Sequence, residues 1–145
     1  MRKTATGSSL TSGDSMELQD VKVMLVEDNP DDVAFTKRVL KFNRLDSNLV
    51  LAADGNEAIA GLDKLAEEEK LPDLILLDIN LPDISGIDLL TRIKRNPRFS
   101  QIPVVILTGS NVDDDIQRSY DLGARTYLVK PISNDALMLA LENLF

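Results

Sequence analysis

The sequence predicts an α/β fold, a doubly wound sheet of five parallel strands in the order 2-1-3-4-5. From Val21 onwards, short apolar runs alternate with amphipathic stretches, a pattern typical of strands separated by helices. The runs for strands 1, 3 and 4 are apolar at nearly every position, as parallel strands covered on both faces should be. Right-handed crossovers then place strands 1 and 3 side by side, where ligands bind outside the carboxyl ends of strands.

The segment before the predicted fold, Met1 to Asp20, has the composition of a flexible leader. It is rich in Ser, Thr and Gly and lacks apolar periodicity. Gly7-Ser8-Ser9 within it resembles a tag-derived linker. We therefore expect one folded domain over residues 21–145, long enough to bury a core of its own.

Five short runs set the positions of the strands. Turn and loop residues separate some of these strands from the neighbouring helices: the turn Asp54-Gly55, a loop containing Leu81-Pro82, and Gly123. The predicted strands are Val23–Val26, Asn48–Ala53, Asp73–Asp78, Ile102–Thr108 and Arg125–Val129.

Amphipathic stretches after each strand predict five helices. Pro30 opens the first helix, and Asn96-Pro97 ends the third. Gly123 stops a short fourth helix that spans Asp113 to about Leu122, and Ser133 can cap the last. Apolar spacing predicts the buried residues of the first, second, third and last helices: Phe35, Val39 and Leu40; Ala58, Leu62 and Leu65; Leu89, Leu90 and Ile93; Leu137, Leu141 and Leu144.

Composition narrows the range of functions. The formal net charge of −8 argues against a surface for nucleic acid or an anionic membrane, since either usually shows a basic patch. The sequence has no apolar stretch near the roughly 20 residues of a membrane span and no signal-peptide pattern, so we expect a cytoplasmic protein. Because the chain has no histidine, its chemistry must use carboxylates, hydroxyls and lysines.

Reactive side chains stand at the carboxyl ends of four predicted strands. Glu27 and Asp28 follow strand 1, and Asp78 ends strand 3. Thr108 ends strand 4, and Lys130 follows strand 5. Each pattern alone also fits an ordinary cap or turn, but parallel strands bring all of these groups to one edge of the sheet. The joint pattern predicts a site for a divalent metal and a phosphoryl group.

Four segments resemble the receiver domain of two-component response regulators, in the same order along the chain. The first segment is also similar to small stand-alone receivers, including those paired with bacterial phytochromes. The resemblance covers about Val21 to Phe145 and implies the flavodoxin-like receiver fold. The segments are Val26-Glu27-Asp28-Asn29-Pro30, Leu77-Asp78-Ile79-Asn80-Leu81-Pro82, Leu107-Thr108-Gly109 and Tyr127-Leu128-Val129-Lys130-Pro131.

The resemblance implies a metal-dependent phosphoacceptor. Asp78 would be the carboxylate nucleophile that forms an acyl phosphate. Mg²⁺, with Mn²⁺ as a substitute, would be bound directly by Asp28 and Asp78. Glu27 would bind it largely through water, and the backbone carbonyl of Asn80 would complete the protein ligands. Sites of this kind, with few carboxylates and retained waters, suit Mg²⁺.

The resemblance also implies how the phosphoryl group is sensed. Lys130 would neutralise one phosphoryl oxygen, and the hydroxyl of Thr108 would donate to another. Thr108 would move on phosphorylation and let Tyr127 turn inward, which changes the face made by the fourth helix, the fifth strand and the fifth helix. The Lys130-Pro131 bond resembles the family's cis peptide, at a position where proline makes cis accessible.

Because this chain has no histidine, it cannot be its own phosphohistidine donor, and a separate donor is implied. The resemblance implies a sensor histidine kinase or a histidine phosphotransfer protein. No output domain follows Phe145 in this sequence. Unless the sequence is a piece of a longer protein, we expect the signal to pass by partner binding, by phosphoryl relay, or by homodimerisation through the helix 4, strand 5 and helix 5 face. We expect no turnover of a separate substrate.

Three other functions share the fold or the residue types. A haloacid-dehalogenase-like phosphatase would need a second Asp two residues after the nucleophile, where this chain has Asn80. A flavodoxin-like cofactor-binding protein would need a Ser/Thr/Gly-rich loop after strand 1, where this chain has an acidic cluster that would repel phosphate. A phosphorylation-independent pseudo-receiver that acts as a binding module is disfavoured, because every expected site residue is present.

Overall fold

One parallel sheet, in the order β2-β1-β3-β4-β5, organises the fold and confirms the predicted topology. The computed structural model describes residues 20–109 and 114–144, so the leader up to residue 19, Asp113 and Phe145 lie outside the described residues. In these ranges the strands are β1 (Lys22–Val26), β2 (Asn48–Ala52), β3 (Leu74–Asp78), β4 (Val104–Thr108) and β5 (Thr126–Val129). The helices are α1 (Pro30–Phe42), α2 (Gly55–Glu67), α3 (Gly86–Arg95), α4 (Asp114–Asp121) and α5 (Asn134–Leu144).

Helices cover both faces of the sheet, as a doubly wound fold requires. Successive side chains of a strand point to opposite faces, so each central strand contributes to two apolar clusters. Met24 and Ile75 pack with α2 and α3 on one face. Leu25 and Leu76 pack with Leu40 of α1 and with α5 on the other. The core therefore consists of two layers, and between them β3, β4 and all of β1 except its first residue, Lys22, are buried.

Side-chain caps make the helices begin close to the carboxyl ends of the strands. The amide oxygen of Asn29 accepts hydrogen bonds from the N–H groups of Asp31 and Asp32 at the start of α1. Ser85 accepts one from the N–H of Asp88 at the start of α3. Such caps satisfy backbone donors that have no partner within the helix. The first turn of α1 is thereby fixed next to the end of β1.

The buried face of α1 differs from the sequence prediction. The apolar spacing predicts Phe35 on this face, and that prediction is wrong, because 38% of its surface is exposed. The prediction is right for Leu40, which is buried, while Val39 is half-buried, and Thr36, four residues before Leu40, is buried in addition. Phe35 lies about 100° around the helix from Thr36, which carries it away from the sheet. The helix thus buries a small hydroxyl side chain where the sequence pattern favours an aromatic ring.

Small differences also occur at the strand ends. Strand β4 begins at Val104 rather than Ile102 because Pro103 has no N–H to donate to the sheet, although its carbonyl accepts from Ile75. Among the described helices, the longest, α1 and α2, have 13 residues each. Across residues 20–109 and 114–144, none combines the length and the apolar character of a membrane-spanning helix.

Candidate functional site

The register of the sheet brings two acids side by side at its carboxyl edge. Val26 of β1 pairs with Leu77 of β3, so Glu27 and Asp78, the next residues along each strand, reach the same level. The N–H of Glu27 donates to the carbonyl of Ala52 at 3.0 Å and continues the pairing with β2. Both acids are buried, with 2% and 3% of their surfaces exposed. The backbone therefore forces two carboxyl groups into the protein interior.

A third acid joins them from the solvent side. One carboxylate oxygen each of Glu27, Asp28 and Asp78 lies within 4.8 Å of the others. Asp28 is exposed, so the cluster opens to solvent beside it. Three like charges at this separation repel each other until a cation neutralises them. Oxygen ligands of this kind, together with an opening for water, fit a hard divalent cation such as Mg²⁺.

The ammonium group of Lys130 partly neutralises the cluster. Its Nζ donates to Oε1 of Glu27 at 3.1 Å and to Oδ2 of Asp78 at 3.3 Å. A third hydrogen bond, at 2.9 Å, goes to Oδ2 of Asp32 in the first turn of α1. The N–H of Lys130 donates to the carbonyl of Thr108 at 2.7 Å, and the Lys130–Pro131 peptide bond is cis. Among the described residues, three carboxylates thus contact one ammonium group.

Electrostatic shifts follow from this crowding. Burial, and next the hydrogen bond and charge of Asp78, raise the pKa of Glu27 from 4.5 to about 7, although Lys130 opposes the shift. Burial by itself would lower the pKa of Lys130. Its hydrogen bond to Asp32, together with the charges of Asp78 and Glu27, outweighs burial and raises that pKa. Lys130 therefore stays protonated, whereas Glu27 holds its charge only weakly.

The remaining predicted residues surround the cluster at different distances. The N–H of Asn80 donates to Oδ1 of Asp78 at 3.1 Å, which fixes the orientation of this carboxylate. Thr108 is buried at the end of β4, one strand away from Asp78. Tyr127 pairs with Ile106, two residues back from that edge, and is half-buried. Its ring meets the ring of Tyr120 edge to face, with centroids 6.4 Å apart.

The loop after Asp78 is anchored to the start of α2 through Asp83. Its carboxylate accepts hydrogen bonds from the N–H groups of Gly55 and Asn56, both at 2.8 Å, and these lower the pKa of Asp83. The loop also needs a glycine at position 86. A Cβ on Gly86 would lie 2.5 Å from the carbonyl oxygen of Asp78. The chain between Asp78 and α3 is therefore held close to the site.

Comparison with known proteins assigns the family. A model of the response regulator receiver domain matches residues 23–142. This chain belongs to the response regulator receiver family. Receiver domains of response regulators are phosphorylated by histidine kinases, so this chain is a receiver of a two-component signalling system.

Individual response regulators share sequence and fold with this receiver. Response regulator Rcp1 of Synechocystis sp. is 43% identical over 110 residues, which are 74% of this chain and 75% of Rcp1. The structure of the bacteriophytochrome response regulator AtBRR is 34% identical, with a TM-score of 0.76, and the match covers 86% of this chain and 93% of that one.

Two further structures record states of related receivers. The Mn²⁺-bound form of Rcp1 is 38% identical, with a TM-score of 0.68, over 86% of this chain and 91% of that one. The phosphorylated cyanobacterial phytochrome response regulator RcpA is 36% identical, with a TM-score of 0.71, over 86% of this chain and 90% of that one.

Sequence reasoning misses the roles of two acids of this receiver. Asp32 is given no role by the sequence analysis, but the structure pairs it with Lys130. The available signal is its position in the first turn of α1, a helix that begins two residues after Asp28 at the same edge of the sheet. Asp83 has no predicted role in the loop. Its partners, Gly55 and Asn56, lie 28 and 27 residues away, so no local pattern indicates them.

Proposed function

We propose that this receiver accepts a phosphoryl group on Asp78, with a divalent cation held by Glu27, Asp28 and Asp78. The observation that carries the proposal is the contact between Asp78 and Lys130, 3.3 Å apart, inside a cluster of three carboxylates within 4.8 Å. A buried carboxylate beside an ammonium group has both a nucleophilic oxygen and a positive charge to receive the incoming anion. The Mn²⁺-bound form of Rcp1 supports the choice of a divalent ion.

Each residue contributes to one step of the transfer. An Oδ atom of Asp78 attacks the phosphorus, and the bond from phosphorus to the donor's leaving group breaks, with the electron pair staying on the leaving group. Lys130 neutralises a phosphoryl oxygen, and the N–H of Asn80 holds the second oxygen of Asp78 in place. The cation, when bound, would neutralise negative charge on the carboxylates and the phosphoryl group. The backbone carbonyl of Asn80 is proposed as a further ligand.

Transmission of the signal is proposed to run through β4 and β5. The hydroxyl of Thr108 would move to the phosphoryl group, and Tyr127 would turn toward the space that Thr108 leaves. Because Tyr127 packs on Tyr120 of α4, its movement would shift α4 relative to β5 and α5. This face would then bind a partner or a second copy of the chain. The donor would be a sensor histidine kinase or a histidine phosphotransfer protein.

The proposal assigns no separate substrate to the protein. A phosphatase with this arrangement would need a general acid two residues after the nucleophile. The residue there is Asn80, whose side chain cannot release a proton at neutral pH, and its N–H already donates to Asp78. Loss of the phosphoryl group would therefore be a reaction of the receiver itself.

The test is the incorporation of phosphate from acetyl phosphate, followed by intact mass spectrometry. Wild-type protein in Mg²⁺ should gain one phosphoryl group, and EDTA should abolish the gain. Asp78→Asn keeps the shape of the side chain but removes the nucleophile, so it should remain unlabelled. Asp31→Asn, which removes an exposed acid of α1, serves as the control and should label. Undiminished labelling of Asp78→Asn would refute the assignment.

A further inference from the structure

Asp32 makes the shortest contact to the Lys130 ammonium group. Its Oδ2 lies 2.9 Å from Nζ, compared with 3.1 Å for Glu27 and 3.3 Å for Asp78. The contact joins the first turn of α1 to the residue after β5, two segments 98 positions apart. Asp32 lies outside the group of three acids that could share a metal ion. Its contact with the site is therefore through Lys130.

All three hydrogens of the ammonium group have a carboxylate partner. A lysine ammonium has three N–H donors, and Glu27, Asp32 and Asp78 each accept one bond. A phosphoryl oxygen that arrives at Asp78 must therefore share or displace one of these acceptors. The side chain of Glu27 is fully buried, and that of Asp78 is 4% exposed and becomes the acceptor itself. Asp32, at 36% exposed, is the partner that water can solvate most cheaply when it is released.

The charge of Asp32 also acts against the transfer. An ammonium group that is held by a carboxylate contributes less of its field to a second anion on the other side. The phosphoryl donor is itself an anion, and Asp32 carries a negative charge next to the lysine that would bind the phosphoryl oxygen. Before phosphorylation the contact stabilises Lys130, whereas during transfer the same contact competes with the phosphoryl oxygens. Both effects slow the transfer, because the contact stabilises the unphosphorylated state and opposes binding of the phosphoryl oxygens to Lys130.

We propose that Asp32 is a positioning residue that holds Lys130 in the unphosphorylated state and thereby slows phosphorylation of Asp78. The proposal rests on the assignment of Asp78 as the phosphoacceptor. In this arrangement Asp32 acts as a built-in counter-ion, and the phosphoryl group replaces it at Lys130. The identity of residue 32 would then set how readily this receiver is phosphorylated by a given donor.

The test compares initial rates of phosphorylation by acetyl phosphate in Mg²⁺ among wild type, Asp32→Asn and Asp32→Ala. Both substitutions remove the charge, and the asparagine keeps a hydrogen-bond acceptor. Each variant should label about threefold faster than wild type at low salt, a factor typical of a partly exposed ion pair. The advantage should shrink as ionic strength rises from about 0.05 M to about 0.5 M, because salt screens partly exposed charges. The chain has no tryptophan, so mass spectrometry follows the reaction.

Asp31→Asn is the matched control, since it removes the same charge from the same turn at an exposed side chain. Its rate should equal that of wild type. An equal acceleration by Asp31→Asn would overturn the proposal, because the effect would be one of total charge. Rates equal to or below that of wild type in both Asp32 variants would also overturn the proposal. So would a slower rate in Asp32→Ala together with an unchanged rate in Asp32→Asn, because Asp32 would then orient Lys130 in a way that assists the transfer.

The outcome separates this inference from the assignment of Asp78. Labelling of Asp78→Asn at the wild-type rate would refute the assignment of Asp78 as the phosphoacceptor, whatever the rates of the Asp32 variants. If labelling requires Asp78 but its rate is the same in the Asp32 variants and wild type, only the proposed role of Asp32 as a counter-ion is refuted. Thermal unfolding of each Asp32 variant, within a few degrees of wild type, shows that the rates refer to folded protein.

Discussion

Two acids at the carboxyl edge of the sheet, Glu27 and Asp78, are nearly as buried as its interior but have the opposite effect on stability. In β3, Leu76 and Leu77 are fully buried, and Asp78 is 3% exposed. Burial of each leucine contributes about 1.5–3 kcal/mol to the free energy of unfolding. Burial of Asp78 beside Glu27 costs free energy, because both acids lose water and repel each other. Apolar burial in the interior of the sheet therefore offsets the free-energy cost of the acidic cluster at its carboxyl edge.

The same contrast separates α3 and α4, the helices before and after β4 in the chain. Five residues of α3 are buried, among them Leu89 and Ile93. In α4, all of whose residues Asp114–Asp121 are described, Ser119 is the one buried side chain. Tyr120 of α4 is 41% exposed and contacts Tyr127 of β5. Apolar packing thus fixes α3, whereas α4 has little buried surface to resist displacement.

The largest expected effect comes from the interior. Leu76→Ala should lower the free energy of unfolding by about 2–5 kcal/mol, because it removes buried methyl groups and leaves a cavity. Leu139→Ala in α5, where the leucine is 61% exposed, is the control and should change it by less than about 0.5 kcal/mol. Urea denaturation monitored by circular dichroism gives both values. Similar losses in the two variants would remove the distinction between the interior and the surface.

At the carboxyl edge, replacing an acid by a neutral side chain should raise the free energy of unfolding rather than lower it. Asp78→Asn and Asp28→Asn each relieve repulsion in the cluster, so in EDTA each should stabilise the protein by about 1 kcal/mol, or about 3 °C in the thermal midpoint. Millimolar Mg²⁺ should raise the midpoint of wild type more than that of either variant, since ligand binding stabilises the native state. Lower midpoints for both variants in EDTA would instead mean that these acids stabilise the fold.

A smaller effect should appear as a pH dependence of the metal-free protein. The pKa of Glu27 is about 7 in the folded state, compared with 4.5 for an unperturbed glutamate, so the folded protein binds this proton more tightly than the unfolded chain does. The protonated Glu27 side chain therefore contributes its full stabilisation below the pKa of Glu27 in the unfolded chain. This stabilisation is lost as the pH rises through the pKa of Glu27 in the folded protein. Glu27→Gln stays neutral at every pH. In EDTA, the midpoint of Glu27→Gln minus that of wild type should grow from about pH 5 to about pH 8; a constant difference would contradict the shift.

The contrast between interior and edge also explains what can be predicted from the sequence. The strand order and the acids Glu27, Asp28 and Asp78 are predictable because buried parallel strands are continuous apolar runs that end at polar residues. The partners of Lys130 are only partly predictable. Asp32 reaches it from a different element, and the rotation of α1 that allows this also exposes Phe35. Such details depend on how a helix packs on the sheet, which local spacing does not determine.

The central claim is that a charge change at Asp78 is transmitted to α4 and β5. Hydrogen exchange before and after phosphorylation tests this claim most directly. Phosphorylated wild type should differ from unphosphorylated protein mainly over residues 108–122 and at Tyr127, while β1, β3 and α3 keep their exchange rates. Tyr127→Ala should still be phosphorylated but should lose any association that depends on phosphorylation. A change confined to residues 35–40 of α1, with α4 and β5 unaltered, would contradict this account.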